Sequence, residues 1–472
     1  MRGLGGPILF LPLLWCSCGS PTVPDPPTQQ VMGLPDTVTF ADHIAPLVWA
    51  NCTPCHRPGQ AGPFPLVGYR DVRKKARTIQ LVTSKGYMPP WPADTSYSRF
   101  LGERTLTARE IALIAKWVEQ GTLAGDTGAM PSPPHFAEGS LLGEPDAVVW
   151  LPEAFAIPGD NTDRFMVSKA PFTFERDTFL RAIEFVPGNR RAVHHMNGAI
   201  IQYAEGAKRD VFAGERYVDA DRTASRDAFE RLALANDDGT YPALTPNATN
   251  YLPGLLPPIL PDGIGGYRIK RQGAFLMNTI HYGPSLRDTT DRSRFNLWFA
   301  PRAPERPMRE IQIGTLGLTP VVPELVIPAD SIKTFHSSYT LPAAISVVSL
   351  NPHMHLLGKH FVAYAVTPTN DTVPLVRIND WDFRWQYVYT FEHLLTLPQG
   401  SVIHVFGTFD NTADNKSNPF SPPREARAPK SGHMRTTDEM FQFFVNYVDH
   451  RPGDEHISLA PADRAPSPPA SH

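Results

Sequence analysis

No cysteine follows Cys55 in this 472-residue chain, and only four occur in all: Cys16, Cys18, Cys52 and Cys55. Two of them fall within the first 20 residues, so the body carries one close pair and no disulfide framework. Apolar runs of membrane-spanning length are missing too. The run from Ile8 to Trp15 is too short to cross a bilayer, and no other stretch approaches that length. A net charge of −3 provides no basic field for nucleic acid. Long helical periods are scarce beyond residue 127, as expected of a chain with 50 prolines, about twice the average share.

What is present suggests about three domains at this length. Arg2 and the apolar run Ile8 to Trp15 read as an export signal over residues 1–20. A buried N-terminal strand is the competing reading, but the Pro-rich linker at 21–36 cannot pack around one. Cys16-Ser17-Cys18-Gly19 resembles a bacterial lipoprotein processing site. Ser17 suits cleavage before Cys18, and Leu13 suits cleavage before Cys16. The expected location is the periplasm or the cell envelope, with any membrane attachment through an N-terminal lipid alone.

Residues 37–126 read as a small all-α haem domain. Cys52-Thr53-Pro54-Cys55-His56 is a C-x-x-C-H motif, the covalent attachment site of c-type haem. Two thiols add to the two vinyl groups of one porphyrin edge, and the adjoining imidazole reaches the iron. A redox dithiol or half of a zinc site would not require His56. Short helices are expected over Asp42 to Trp49 and Arg70 to Ser84. Thr107 and Glu110 form a capping box that opens a third helix, which Gly121 ends. Met88, in a Pro-rich loop after the second helix, is the expected sixth ligand. The alternative is Met88 as core filler, with His43 or water on the iron.

After a linker at 127–140, short β-like runs separated by Pro, Gly, Asn and Asp predict two antiparallel sandwiches, at 141–305 and 306–450. These runs include Phe179–Glu184, Gly198–Tyr203, Ala274–Ile280, Ser346–Leu350, Trp385–Tyr389 and Phe441–Val448. A short helix fits near Asp227 to Ala235, and residues 451–472 read as a disordered tail. His353 and His355 sit on or just after one strand, where residues i and i+2 share a face and can converge on one ion. His194 and His195 would point to opposite faces of a regular strand, so joint ligation needs a strand end or a bulge. His281 ends an apolar run and, taken alone, reads as a hydrogen-bonded core histidine. Met440 follows Asp438 and Glu439, a pair that reads as a cap or turn. His336, His360, His404 and His433 read as structural or surface residues, with His336 and His433 the ones to check near a metal.

The order His194-His195, His281-Tyr282-Gly283, His353-x-His355-x-x-Gly358 and Asp438-Glu439-Met440 resembles the copper type II ascorbate-dependent monooxygenases. This is the family of the peptidylglycine α-hydroxylating and dopamine β-monooxygenases, and the resemblance spans roughly residues 140 to 450. It implies two jelly-roll-like β domains facing a solvent-filled cleft, with one copper on each. His194, His195 and His281 would hold the electron-transfer copper. His353, His355 and Met440 would hold the copper at which O2 reacts with substrate. A His₂Met set is soft and favours copper over zinc, whereas His₃ alone suits either.

Two positions depart from the peptide-amidating members. Asn351 stands where they carry Arg, and Phe444 where they carry Tyr, which argues against a peptide-glycine substrate. The expected function is therefore an exported monooxygenase that hydroxylates a C–H bond of a small molecule. It would use O2 and an external reductant, either ascorbate-like or a redox protein. Electrons would pass from the fused haem to the His194, His195 and His281 copper, then to the second copper. The competing functions are a copper electron-transfer protein without oxygenase activity and a zinc-bearing structural jelly roll beside a cytochrome.

Overall fold

The computed structural model describes residues 33–130, 132–136, 139–429 and 437–460. The export signal, Cys16, Cys18, His433 and the last part of the tail lie outside the described residues. Between Gly33 and Gln120 the regular elements are helices. A π-helical turn, Phe40–Ile44, leads into α1 (Ala45–Asn51), followed by α2 (Tyr69–Ser84) and α3 (Ala108–Glu119). The third helix starts where the capping box placed it. Glu110 N donates to Thr107 Oγ1 at 3.2 Å, and Thr107 N donates to Glu110 Oε2 at 2.7 Å. Phe40, Trp49, Val72, Ile114 and Trp117 form the core between the helices.

Beyond residue 146 the fold is mostly β-sheet, as the short β-like runs predicted. The first sandwich has a five-stranded sheet in the order Tyr217–Asp219, Arg164–Thr173, Gln272–Tyr282, Val193–Tyr203, Ala243–Tyr251. Facing it is a four-stranded sheet in the order Ala147–Trp150, Arg294–Phe299, Thr178–Val186, Tyr267–Ile269. Phe172, Met196, Phe275, Phe295 and Leu297 are buried between them. A short helix, α4 (Ser225–Arg231), covers the outer face of the larger sheet through Ala228, Val167 and Tyr203.

The second sandwich pairs two four-stranded sheets. One runs Arg309–Gly314, Phe441–Asp449, Ile345–Met354, Tyr389–Leu397. The other runs Ile332–Thr340, Val402–Asp410, Gly358–Val366, Thr372–Ile378. Leu350, Phe361, Phe409, Phe443 and Val445 fill the space between.

Three regions differ from the sequence reading. Trp385 to Val388 is irregular backbone, and the strand begins only at Tyr389. Its aromatic alternation resembles a strand, but Trp385 and Tyr387 stack on each other, Gln386 bonds to His353, and the Tyr387 hydroxyl reaches Pro90 O. Residues 451–460 are packed rather than loose. Leu459 is buried, and Asp454 is tied to Arg306 at 2.6 Å and to Ser346 Oγ at 2.6 Å.

The third difference concerns residues 91–101, which leave the helical bundle and enter the second sandwich. Ala93 and Phe100 belong to its core, bridging to Ile378 and Phe391. Trp91 packs on Tyr387 and Tyr389, with ring centroids 5.3 and 5.5 Å apart. The helical region is thus docked by buried aromatic pairs, each contributing about 1 kcal/mol beyond its area.

Candidate metal centre

The first histidine set is built by two adjacent strands of the five-stranded sheet, Val193–Tyr203 and Gln272–Tyr282. A register shift between Val193 and His195 supplies the bulge that adjacent histidines require, and His195 pairs with His281 across the strands. The His281 ring lies 4.9 Å from that of His194 and 5.0 Å from that of His195, both edge-on. Gly283 makes room for this packing, since a Cβ there would sit 2.3 Å from His194 Nε2.

His281 is held from the far side. Phe165 stacks on its ring at 4.2 Å, and its Nε2 lies 2.6 Å from Asp163 Oδ1. Burial pulls His281 down to about 4, against the opposing pull of Asp163. The ring is therefore neutral at physiological pH, and the contact is an Nε2–H hydrogen bond to the carboxylate rather than an ion pair. The unprotonated nitrogen is then Nδ1, which is buried and has no hydrogen-bond partner. An orphaned, unprotonated imidazole nitrogen beside two further imidazoles is the donor chemistry a copper ion requires. Burial, followed by the charges of His281, His194 and His353, also keeps His195 well below the ordinary histidine range.

The second set lies at the end of strand Ile345–Met354 in the other sandwich. The His353 and His355 rings meet edge-on at 5.1 Å. Met354 pairs with Phe441, so one step beyond the ladder Met440 comes level with His355. His353 donates from Nδ1 to Gln386 Oε1, and His355 donates from Nδ1 to the Asp438 carbonyl at 2.7 Å. Each bond leaves Nε2 as the unprotonated nitrogen. Burial, with the His355 charge second, pulls His353 down to about 3.

Glu439 locks the two strands together. Its carboxylate accepts from His355 N at 3.0 Å and from Leu357 N at 2.7 Å. Burial raises this carboxyl to about 8, although the N–H groups of Leu357, His355 and Met440 pull the other way. A cation held by the neighbouring donors would favour its charged form.

The two sets approach each other across one side chain. The ring of Phe383 stands edge-on to His355 at 5.6 Å and to His195 at 6.2 Å. Phe383, which is partly exposed, thus contacts one histidine of each set. Asn351 and Phe444 are both buried, and Asn351 Nδ2 donates to Tyr387 O at 3.0 Å. His336 lies on the opposite sheet, where its Nε2 is 3.0 Å from His404 Nδ1.

Residues 319–458 match the family model described as copper type II ascorbate-dependent monooxygenase, C-terminal domain. That segment is therefore similar to the C-terminal domain of a copper-dependent monooxygenase family. It spans His353, His355, Met440 and the Phe383–Tyr387 segment. No curated protein matches the chain.

In the helical region, Cys52, Cys55 and His56 follow α1 directly and are half-buried. His56 Nδ1 donates to Phe64 O at 3.1 Å, which leaves Nε2 as the nitrogen able to bind iron. Burial, with Cys55 second, pushes the Cys52 thiol up to about 12, so it is not a reactive thiolate. Met88 is exposed in the loop after α2. The two thiols and His56 Nε2 are thus the atoms that a haem of the expected kind would engage.

Sequence reasoning missed Asp163, Phe165, Phe383 and Gln386, which orient or separate the histidines. A carboxylate two residues before an aromatic strand residue carries no motif, and Gln386 lies 33 residues from its histidine.

Proposed function

We propose that this chain is an exported copper-dependent monooxygenase that hydroxylates a C–H bond of a small molecule with O2. In this reading His194, His195 and His281 hold one copper, and His353, His355 and Met440 hold the other. Residues 37–126 form a cytochrome c-like domain carrying haem on Cys52 and Cys55, with His56 and Met88 axial, and this haem supplies electrons. Residues 141–305 and 306–450 are the two jelly-roll-like copper domains. The signal at 1–20 directs export, with lipidation at Cys16 or Cys18. The observation that carries the reading is the strand pair within the matched family domain, which brings His353, His355 and Met440 to one end.

When bound, copper supplies one-electron redox chemistry and O2 activation. The chain's own residues supply position and protonation state. Gln386 and the Asp438 carbonyl hold protons on Nδ1 of His353 and His355, which presents both Nε2 atoms as donors. Asp163 does the reverse for His281, presenting Nδ1. Phe383 packs edge-on against one histidine of each set. Buried Asn351 and Phe444 provide no charged or hydroxyl group for a peptide carboxylate, which favours a neutral small substrate.

Oxygen uptake by copper-loaded protein with ascorbate, across a panel of small C–H substrates, tests the proposal. Substrate-dependent uptake that is lost in His353→Ala is the expected result. Full copper occupancy without uptake would instead favour a copper electron-transfer protein, and zinc in place of copper would favour a structural role.

A further inference from the structure

Helix α2 gathers its cations on one exposed face. Arg70, Arg73, Lys74 and Arg77 are all exposed, and at about 100° per residue they fall in one stripe with Leu81. Val72, Ala76 and Ile79 lie on the opposite side, buried in the helical core. Lys85, exposed at the C-cap, extends the stripe, and Lys75 flanks it, 4.5 Å over the ring of Phe64. Six cations against one carboxylate, Asp71, give residues 69–85 a net charge of +5 in a chain whose total is −3. The remainder therefore carries −8.

Nothing local uses these charges. The Asp71 carboxylate turns back to cap the helix, where Oδ2 accepts from Gly68 N at 3.4 Å. Among the described residues, the ion pairs involve none of the six cations. Arg70 with Lys74, and Arg73 with Arg77, are like charges four residues apart, a spacing that weakens a helix. Arg70 in the first turn also opposes the helix dipole. The fold of α2 thus rests on its buried face, and the charged face works against it.

The stripe ends in apolar side chains. Leu81 is 54% exposed and Tyr87, just past the helix, 67%. Neither belongs to the helical core. Cations beside an exposed leucine and a phenol match the layers of a bilayer surface, with charge at the phosphates and apolar groups below them. An acidic protein would satisfy the cations but gives no reason for the apolar end.

We propose that α2 is a docking surface for an anionic phospholipid bilayer. Arg70, Arg73, Lys74, Arg77 and Lys85 meet the phosphates, and Leu81 and Tyr87 enter the interfacial layer. The proposal is independent of the copper and haem readings. It adds a protein surface to the expected N-terminal lipid, and one lipid chain with a polybasic patch anchors stably where a single chain does not. The net −8 elsewhere is repelled by the same bilayer, which orients the protein with α2 towards it.

Co-sedimentation of the full-length protein with vesicles of phosphatidylcholine, alone or mixed with phosphatidylglycerol, tests the proposal. Any N-terminal lipid contributes to both compositions and cancels in the ratio of the two partition coefficients. The expected ratio is at least about tenfold in low salt and falls towards one as salt is added. Lys74→Glu with Arg77→Glu should bring it close to one. Lys74→Gln with Arg77→Gln, which keeps helix propensity, should lower it by an intermediate amount, and circular dichroism would confirm that both pairs fold. Leu81→Ser should weaken binding to the mixed vesicles without changing its salt dependence. Arg222→Glu with Arg226→Glu makes the same change in net charge on exposed residues elsewhere and should leave the ratio high. A wild-type ratio near one, a ratio that survives reversal at Lys74 and Arg77, or an equal loss in the Arg222 and Arg226 pair would overturn the proposal. Indifference to phosphatidylglycerol with capture by an acidic protein would overturn it in favour of a protein partner.

Discussion

Asp163 accepts a 2.6 Å hydrogen bond from His281 Nε2, and Phe165, two residues on, stacks flat on the same ring. The pair fixes both the tautomer and the plane of one histidine. Carboxylates in this position typically account for 10- to 100-fold in metal affinity. Asp163→Ala should therefore weaken copper at the His194, His195 and His281 set by about that factor. Asp163→Asn, which retains an acceptor oxygen, should lose less. Competition titrations against a chelator, read by electron paramagnetic resonance, would measure both, and the other copper should be unaffected.

Glu439 performs the corresponding task in the second sandwich through two backbone N–H groups, of His355 and Leu357. An amide has one acceptor oxygen, so Glu439→Gln leaves one of these buried donors facing an NH₂ group. An unsatisfied buried donor costs about 1–3 kcal/mol. The expected result is a destabilisation of that size in denaturant unfolding, with weaker copper binding at His353 and His355 only. Unchanged stability and affinity would mean that the carboxylate is not needed to hold the strand end.

The strand pattern and the histidines were legible in the sequence for a physical reason. A run of β-formers such as Ile345–Leu350 marks a strand buried on both faces, and His-x-His places two donors on one face. The bulge that joins His194 to His195 was legible only as a requirement, because the two neighbours cannot otherwise share a face. Gly283 was visible as a residue but not as the gap that His194 needs. Phe383 and Gln386 could not be read at all. They act from irregular backbone whose alternating aromatics resemble a strand, and their partners are set by tertiary packing. The docking of Ala93 and Phe100 in the second sandwich was hidden because the surrounding Pro-rich loop reads as a connection.

Lys169 offers a pH-dependent test away from the metal ligands. It is fully buried, donates from Nζ to Ala213 O at 2.7 Å, and is pulled down from 10.5 to about 8 by burial, then by Lys208 and Arg216, with Asp210 opposing. The folded value lies below the unfolded one, so the folded state binds fewer protons between these limits. Stability contributed by this group therefore rises with pH through that window and is constant below it. Denaturant unfolding at pH 7 and pH 10 should show a gain on the order of 2 kcal/mol in wild type that Lys169→Met lacks. Identical pH slopes for the two proteins would contradict the buried, depressed lysine.

Copper content per chain tests the central claim most directly. Each histidine set sits in its own sandwich with its own orienting residues, Asp163 and Phe165 for one, Gln386 and Glu439 for the other. Removing one set should therefore leave the other intact. The account predicts two copper ions in wild type and one each in His281→Ala and His353→Ala, with different resonance spectra for the ion that remains. A single copper in wild type, or loss of both ions on either substitution, would contradict it.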